Sequence, residues 1–266
     1  MTLRLDHLVI LVKNLDTAIT DYRALGFQVM PGGTHAEGAT HNALVSFADG
    51  SYLELIAFLD HRIPHRWVAP AKQGLEGFID YALLPGSVPE VVAAARARGL
   101  DYQGPFEGGR MRPDGERLVW QTGLPPSRDL PFLCGDVTAR TLRVPGGDAH
   151  MHANGARGVA TLTVLVRDLD TSLARYVALL GPQVPDSVQP LSLPGLGLRQ
   201  ALLPLGSATL ALVSPDGDAP EGAALRLQLE QRGEGLIGLT LQSTASQARQ
   251  LPRARSHGAA ISLQAG

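Results

Sequence analysis

LVILVKNLDTAITDYRALG at residues 8–26 returns as LTVLVRDLDTSLARYVALLG at residues 162–181, 154 positions further on. Each stretch reads as an apolar strand, a turn, and an amphipathic helix opened by Asp-Thr. The similarity continues downstream. HNALVSFADGSYLELIAF (41–58) parallels RQALLPLGSATLALVSP (199–215), and both read as a hairpin leading into a second apolar strand. A chain that repeats itself over such a distance is built from modules, and the module sets the fold.

Two weaker echoes complete the pattern. GFIDYALLPGSVPEVVAAARARGL (77–100) gives strand, turn, helix and a glycine stop. The turn and strand of MRPDGERLVWQTG (111–123) follow, then the strand LPFLCGDV (130–137). GLIGLTLQSTASQARQLPRARSHGAAISL (235–263) reads as strand, helix and strand before the sequence stops. The expected fold is therefore α+β, with four βαβββ modules near 3–58, 75–137, 157–214 and 235–266, the last truncated. Two fused domains follow, at 1–140 and 157–266. A linker at 141–156, rich in Gly, His and Asn, joins them.

Composition narrows the function classes. Of the 266 residues, 44% are apolar and 18% charged, which is ordinary for a globular protein with a real core. A net charge of −2 gives no electrostatic reason to expect nucleic acid or an anionic membrane as partner. Cys134 is the lone cysteine, so no intramolecular disulfide is available. The N-terminal run carries Asp6 and lacks a small-residue cleavage site, and no apolar stretch has the length of a membrane span. A cytoplasmic protein is the expectation. Nucleophile elbow, phosphate loop, dinucleotide fingerprint and Cys-x-x-Cys pair are all missing from the sequence.

Strand side chains alternate between faces. His7 shares a face with Leu5, Val9 and Leu11; Glu54 shares one with Tyr52 and Ile56; Asp80 shares one with Phe78, Ala82 and Leu84. Each otherwise apolar face thus carries a titratable group, and an unpartnered charge in such a place is costly. The three could satisfy one another around a single cation. The repeat supplies an internal control. His7 aligns with Thr161 and Leu239, and Glu54 with Ala211, so the second half keeps the strands and lacks the ligands. Groups needed for folding would be present in both halves; groups needed for a site need not be.

LDHLVILVKNLDTA, GGTHAEGATHNALVSFADGSYLELIAF, RPDGERLVWQTG and LPFLCGD together resemble the glyoxalase-like branch of the vicinal oxygen chelate superfamily. That superfamily includes glyoxalase I, extradiol dioxygenases and the bleomycin- and fosfomycin-resistance proteins. The resemblance covers residues 3–137 and extends weakly beyond. It implies cupped mixed sheets, and a divalent ion (Mn, Fe, Zn, Ni or Mg) held by His7, Glu54 and Asp80. The fourth ligand position falls near Leu133 to Gly135, where no carboxylate or His stands. It further implies lyase, isomerase or dioxygenase chemistry on a small substrate with neighbouring oxygens, with Glu54 and His7 as the catalytic groups. The alternative is a metal-free binding or sequestration protein of the bleomycin-resistance type.

Other polar residues fit a substrate pocket or a plain surface. His41 and Asn42 open a strand, and His35 sits in a glycine-rich loop. His61, His65 and Trp67 follow Glu54's strand, as a surface helix or as a lid. Arg110, Arg112 and Arg117 flank the turn at 112–115; Arg112 is the one assigned to a substrate anion, while a hairpin dressed with surface charge is the plainer reading of the group. Trp120 lines or fills the cup, and Cys134 reads as a small core residue. A small-molecule substrate is the expected partner, with room for a homodimer through the ligand-free second half.

Overall fold

The computed structural model describes residues 2–112 and 114–266; Met1, and Pro113 within the expected Arg-Pro-Asp-Gly turn, lie outside the described residues. The first half runs β1 (Arg4–Leu11), α1 (Leu15–Ala24), β2 (Met30–His35), β3 (Thr40–Ser46), β4 (Tyr52–Phe58), α2 (Val68–Lys72), β5 (Gly77–Leu84), α3 (Val88–Ala97), β6 (Gln103–Met111), β7 (Arg117–Leu124) and β8 (Phe132–Asp136). A short helix α4 (Arg140–Arg143) leads into the second half. There follow β9 (Ala156–Leu165), α5 (Leu169–Leu180), β10 (Leu191–Leu193), β11 (Leu198–Leu205), β12 (Ala208–Pro215), α6 (Pro220–Arg232), β13 (Gly235–Ser243), β14 (Arg249–Gln250) and β15 (Ile261–Leu263).

The repeat fixes where the helices start. The Asn14 side chain accepts from the Thr17 N–H at 2.8 Å, and 154 residues later the Asp168 carboxylate accepts from the Thr171 N–H at 2.7 Å. Each cap satisfies a donor that the first helical turn leaves free. Asn14→Ala and Asp168→Ala are each expected to cost about 1 kcal/mol, read by calorimetry as a melting point lowered by about 2–4 °C for a chain of this size.

Eight strands of the first half close into a barrel, in the order β1-β4-β3-β2-β6-β7-β8-β5. β1 runs parallel to β4 with His7 opposite Tyr52 and Val9 opposite Glu54. β5 runs antiparallel to β1 with Ala82 opposite His7 and Asp80 opposite Val9. The second half forms a seven-stranded open sheet, β10-β11-β12-β9-β13-β15-β14. There Thr161 faces Thr209 and Thr163 faces Ala211, so His7 and Glu54 do correspond to Thr161 and Ala211. Thr163 faces Gly238 as Val9 faces Asp80, so Gly238 stands in the second half where Asp80 stands in the first, one residue before the Leu239 that the sequence alignment set against His7. The two units are fused, with one buried cluster running through both: Leu8, Ile10 and Leu53 belong to it, and so do Val164, Leu210 and Leu212.

Two segments depart from the sequence reading. The helix expected after β13 is absent; turns and the two-residue β14 take its place. Pro252 interrupts the segment, and His257 sits in the left-handed region at φ 53°. The helix α6 was not expected from sequence. The linker is firmly attached to the first half. His152 accepts from the Gln28 N–H through Nδ1 and donates from Nε2 to the Ser46 carbonyl, each at 3.0 Å, and Asn154 donates to the Leu25 carbonyl at 3.0 Å. Among the described residues, no helix is long and apolar enough to cross a membrane.

Candidate functional site

β1 contains a bulge. Leu5 pairs with Leu83 and His7 with Ala82, leaving Asp6 as an extra residue on its strand. The same irregularity recurs at Ile79, Ala160 and Ile237, the equivalent places in the other modules. A bulge rotates a side chain away from strict alternation. Asp6 consequently reaches its own neighbour: His7 Nδ1 lies 2.7 Å from Asp6 Oδ2. Of the four bulged residues, Asp6 alone is acidic.

Asp6 is fully buried and clamped. Arg140 donates to Oδ1 at 2.6 Å, and Arg143 donates to Oδ2 at 2.9 Å and Oδ1 at 3.1 Å. Asp136 binds both arginines from the other side, at 3.1 and 2.5 Å. Burial pushes the Asp6 carboxyl up. Arg143, the His7 hydrogen bond and Arg140 overcome this and hold it well below the usual carboxylate range. Two arginines thus balance two aspartates, and the Tyr52 hydroxyl accepts from Arg143 at 2.6 Å. The His7 ring stacks on Tyr52 with centroids 4.6 Å apart.

With Nδ1 fixed, His7 presents Nε2 to Glu54, 3.3 Å from Oε2. Burial opposes a charge on His7, but the hydrogen bonds to Asp6 and Glu54 raise its affinity for a proton. Burial likewise opposes ionisation of Glu54, yet His7 leads the contacts that bring its carboxyl down to about 2. The other oxygen, Oε1, accepts from Asn42 Nδ2 at 2.5 Å and faces His35 Nε2 at 3.6 Å. His35 is held from behind, its Nδ1 lying 2.7 Å from Thr40 Oγ1. Two imidazoles, each fixed at Nδ1, therefore aim Nε2 at opposite oxygens of one buried carboxylate. Gly32 makes room for this: a Cβ there would stand 1.9 Å from Asn42 Oδ1.

These groups floor a cavity of about 390 Å³ inside the barrel. Its walls are apolar, with Leu44, Ile56, Trp67, Trp120, Leu124 and Phe132 among them. Pro64, His65, Arg66 and Trp67 cover one side, so the segment after β4 is a lid and not a free surface helix. Of the residues expected at a substrate pocket, His35, Asn42 and Trp120 line the cavity. His41 and Arg112 do not, and Arg112 instead pairs with Asp114 at 2.8 Å. Asp80 does not line this cavity either. Its carboxylate binds Arg66 at 2.6 Å and accepts from the Trp67 indole at 3.0 Å, which ties down the lid. The partner of Ala82 on β8 is Phe132, as Glu54 is the partner of Val9 on β4; the place expected for a fourth ligand thus holds an aromatic ring, one residue before the predicted range. Burial pushes the Cys134 thiol far up, and it stays protonated.

Sequence reasoning missed Asp6, Arg140 and Arg143. Alternation places Asp6 on the wrong face, and the two arginines lie at or beside the supposed linker. The signal available was the adjacency of Asp6 and His7 at a position that recurs in each module.

A family model described as "Glyoxalase-like domain" matches residues 5–180. The chain belongs to the glyoxalase-like domain family. A hypothetical protein from Staphylococcus aureus shares its architecture over 99% of this chain and 100% of that one, at TM-score 0.73 and 13% identity. A mutant of 4-hydroxymandelate synthase from Streptomyces coelicolor aligns over 96% of this chain and 78% of its own, at TM-score 0.58 and 15% identity. These identities show a shared fold, that of the vicinal oxygen chelate proteins. No curated protein matches the chain by sequence.

Members of this superfamily are often metal-dependent, so the donors of this glyoxalase-like chain bear inspection. Among the described residues, Asp6, His7 and Cys134 place ligand atoms within 4.8 Å of one another. Their chemistry is poor for a cation: Asp6 is saturated by arginines and the thiol is protonated. His7, His35 and Glu54 are less tightly gathered but chemically better. Each imidazole has the Nδ1 support that metal-bound histidines characteristically have, and the carboxylate between them is ionised.

Proposed function

We propose that this glyoxalase-like chain is a divalent-metal-dependent enzyme acting on a small molecule with neighbouring oxygen atoms, in the cavity floored by His7 and Glu54. The observation that carries the reading is the pair of Nδ1-anchored imidazoles aimed at one buried carboxylate. His7 and Glu54 would hold the ion, with His35 as third donor in place of Asp80. Two histidines and one carboxylate form a known set for divalent transition metals that keeps positions open. The bound ion would supply Lewis acidity toward the substrate oxygens. The chain's own residues do the rest. Asp6 orients His7 and fixes its tautomer. Asn42 holds Glu54 in place through Oε1. Trp67 and Trp120 keep bulk water out. Lyase, isomerase and dioxygenase outcomes all fit this floor.

A metal-free binding protein is the second reading, favoured by Phe132 at the fourth ligand place and by the engagement of Asp80 with the lid. Metal analysis after purification without chelator separates the two. The enzyme reading expects about one equivalent of a divalent ion, lost in His7→Ala and weakened in His35→Ala. It also expects Mn²⁺ or Zn²⁺ to raise the melting temperature, because an ion bound to the folded state stabilises it. Metal-free protein with an unmoved melting temperature supports the binder.

A further inference from the structure

Three guanidinium groups border the cavity, and two are neutralised. Arg143 pairs with Asp6 and Asp136, and Arg66 with Asp80. Arg110 has no carboxylate within ion-pair distance among the described residues. It is 3% exposed. Its Nη1 donates to the Gly32 carbonyl and its Nη2 to the Arg143 carbonyl, the latter at 3.0 Å. Those carbonyls fix the group without cancelling its charge. Burial pulls its affinity for a proton down, as expected for a cation lacking a counter-ion. A buried, rigid, uncompensated guanidinium is costly unless something else completes it.

Its surroundings describe what that is. Arg110 lines the same cavity as Glu54, Trp120 and Trp67, beside Gly108 and Gly109. A Cβ at Gly108 would lie 2.3 Å from the Trp120 indole nitrogen, so the missing side chain is what lets that ring lie against β6. The result is a cavity walled by two indoles and aliphatic side chains that holds, besides the Glu54 carboxylate, one fixed guanidinium with no acidic partner. A guanidinium with free N–H groups matches a carboxylate in two-pronged fashion.

We infer that the ligand of this cavity is an organic carboxylate with a flat apolar body, and that Arg110 is the residue that selects it. The inference takes the cavity as the ligand site, as the proposed function does, but does not need the metal. Trp67 and Trp120 are the only tryptophans in the chain and both line the cavity, so intrinsic fluorescence reports occupancy directly.

The full chain in EDTA would be titrated with 3-phenylpropionate, its neutral amide 3-phenylpropanamide, and phenyl phosphate. The expected result is saturable quenching by the carboxylate, with the amide weaker by at least about tenfold, a typical scale for one lost charge-assisted contact. Phenyl phosphate binding more tightly than the carboxylate would overturn the assignment to a carboxylate. Arg110→Gln should bring the acid down to the amide's affinity. Arg110→Lys, which keeps the charge should the glutamine variant fail to fold, should retain part of the preference. Equal binding of acid and amide to the wild type, binding of neither at 10 mM (roughly the weakest affinity of interest), or an undiminished preference in a folded Arg110→Gln protein would overturn the proposal. Failure of the metal reading registers separately, as absence of metal uptake by protein that still prefers the acid.

Discussion

Arg143→Met is expected to lower the melting temperature by about 6–20 °C at neutral pH. Removing one partner of a buried ion pair leaves the other charge uncompensated, at about 3–5 kcal/mol, and each kcal/mol moves a chain of this size by about 2–4 °C. Arg143 is 4% exposed and Asp6 fully buried, so solvent screening offers little relief. The substitution leaves Arg140 alone to balance both Asp6 and Asp136, one positive charge short, and removes the donor to the Tyr52 hydroxyl. The sign of the pH dependence follows from Asp6. Its folded-state pKa lies below its unfolded value, so its contribution is complete above the ordinary carboxylate range and fades as pH falls through the folded value. Thermal melts between pH 7 and pH 3 should therefore show wild type losing stability at the acid end. Asp6→Asn starts lower and loses less over the same interval. Parallel acid limbs in the two proteins would show that Asp6 is not responsible.

Glu54→Gln and Asp80→Asn are expected to diverge. The first keeps the shape of the side chain and removes the charge between His7 and His35. Loss of a supporting group around a metal already costs about 10–100-fold in affinity, so loss of the ligand should cost at least about 100-fold. Asp80→Asn should leave metal affinity nearly unchanged. Its loss falls on the lid, where the Arg66 ion pair and the strength of the Trp67 contact go, and Trp67 emission should shift toward that of a solvated indole. Calorimetric titration with Mn²⁺, read beside the emission spectrum, checks both. Metal binding abolished by Asp80→Asn and spared by Glu54→Gln would move the centre to the other carboxylate.

The fold was legible because the repeat carries its own punctuation. The caps at Asn14 and Asp168, the apolar alternation of β1 and β9 and the hairpins of β3–β4 and β11–β12 are local properties, and local chemistry fixes them. His7 and Glu54 were legible for the same reason, as polar residues on otherwise apolar faces. Asp80 obeyed the same rule, yet its carboxylate is engaged by Arg66 and Trp67, fourteen and thirteen positions away in a segment without periodicity. Asp6 broke the rule through the bulge. Arg140 and Arg143 lie on a four-residue helix too short to leave a pattern, and their partner is more than a hundred residues earlier. What stayed hidden in each instance was a tertiary contact with no local signature.

The two halves treat the mouths of their cups differently. After β4 comes a loose stretch ending in the five-residue α2, whose start has no side-chain cap, and Trp67 roofs a hollow space. After β12 comes the thirteen-residue α6, whose Leu225 and Leu229 pack onto Leu165, Val213 and Ile237. Leu165, Val213 and Ile237 are the counterparts of Leu11, Ile56 and Ile79 around the first cup's cluster. Whether such a vault is vacant or plugged is thus decided by the connector that crosses it. The same strands thus enclose a void in one half and a packed interior in the other, because the longer helical stopper fills the space its shorter equivalent leaves open.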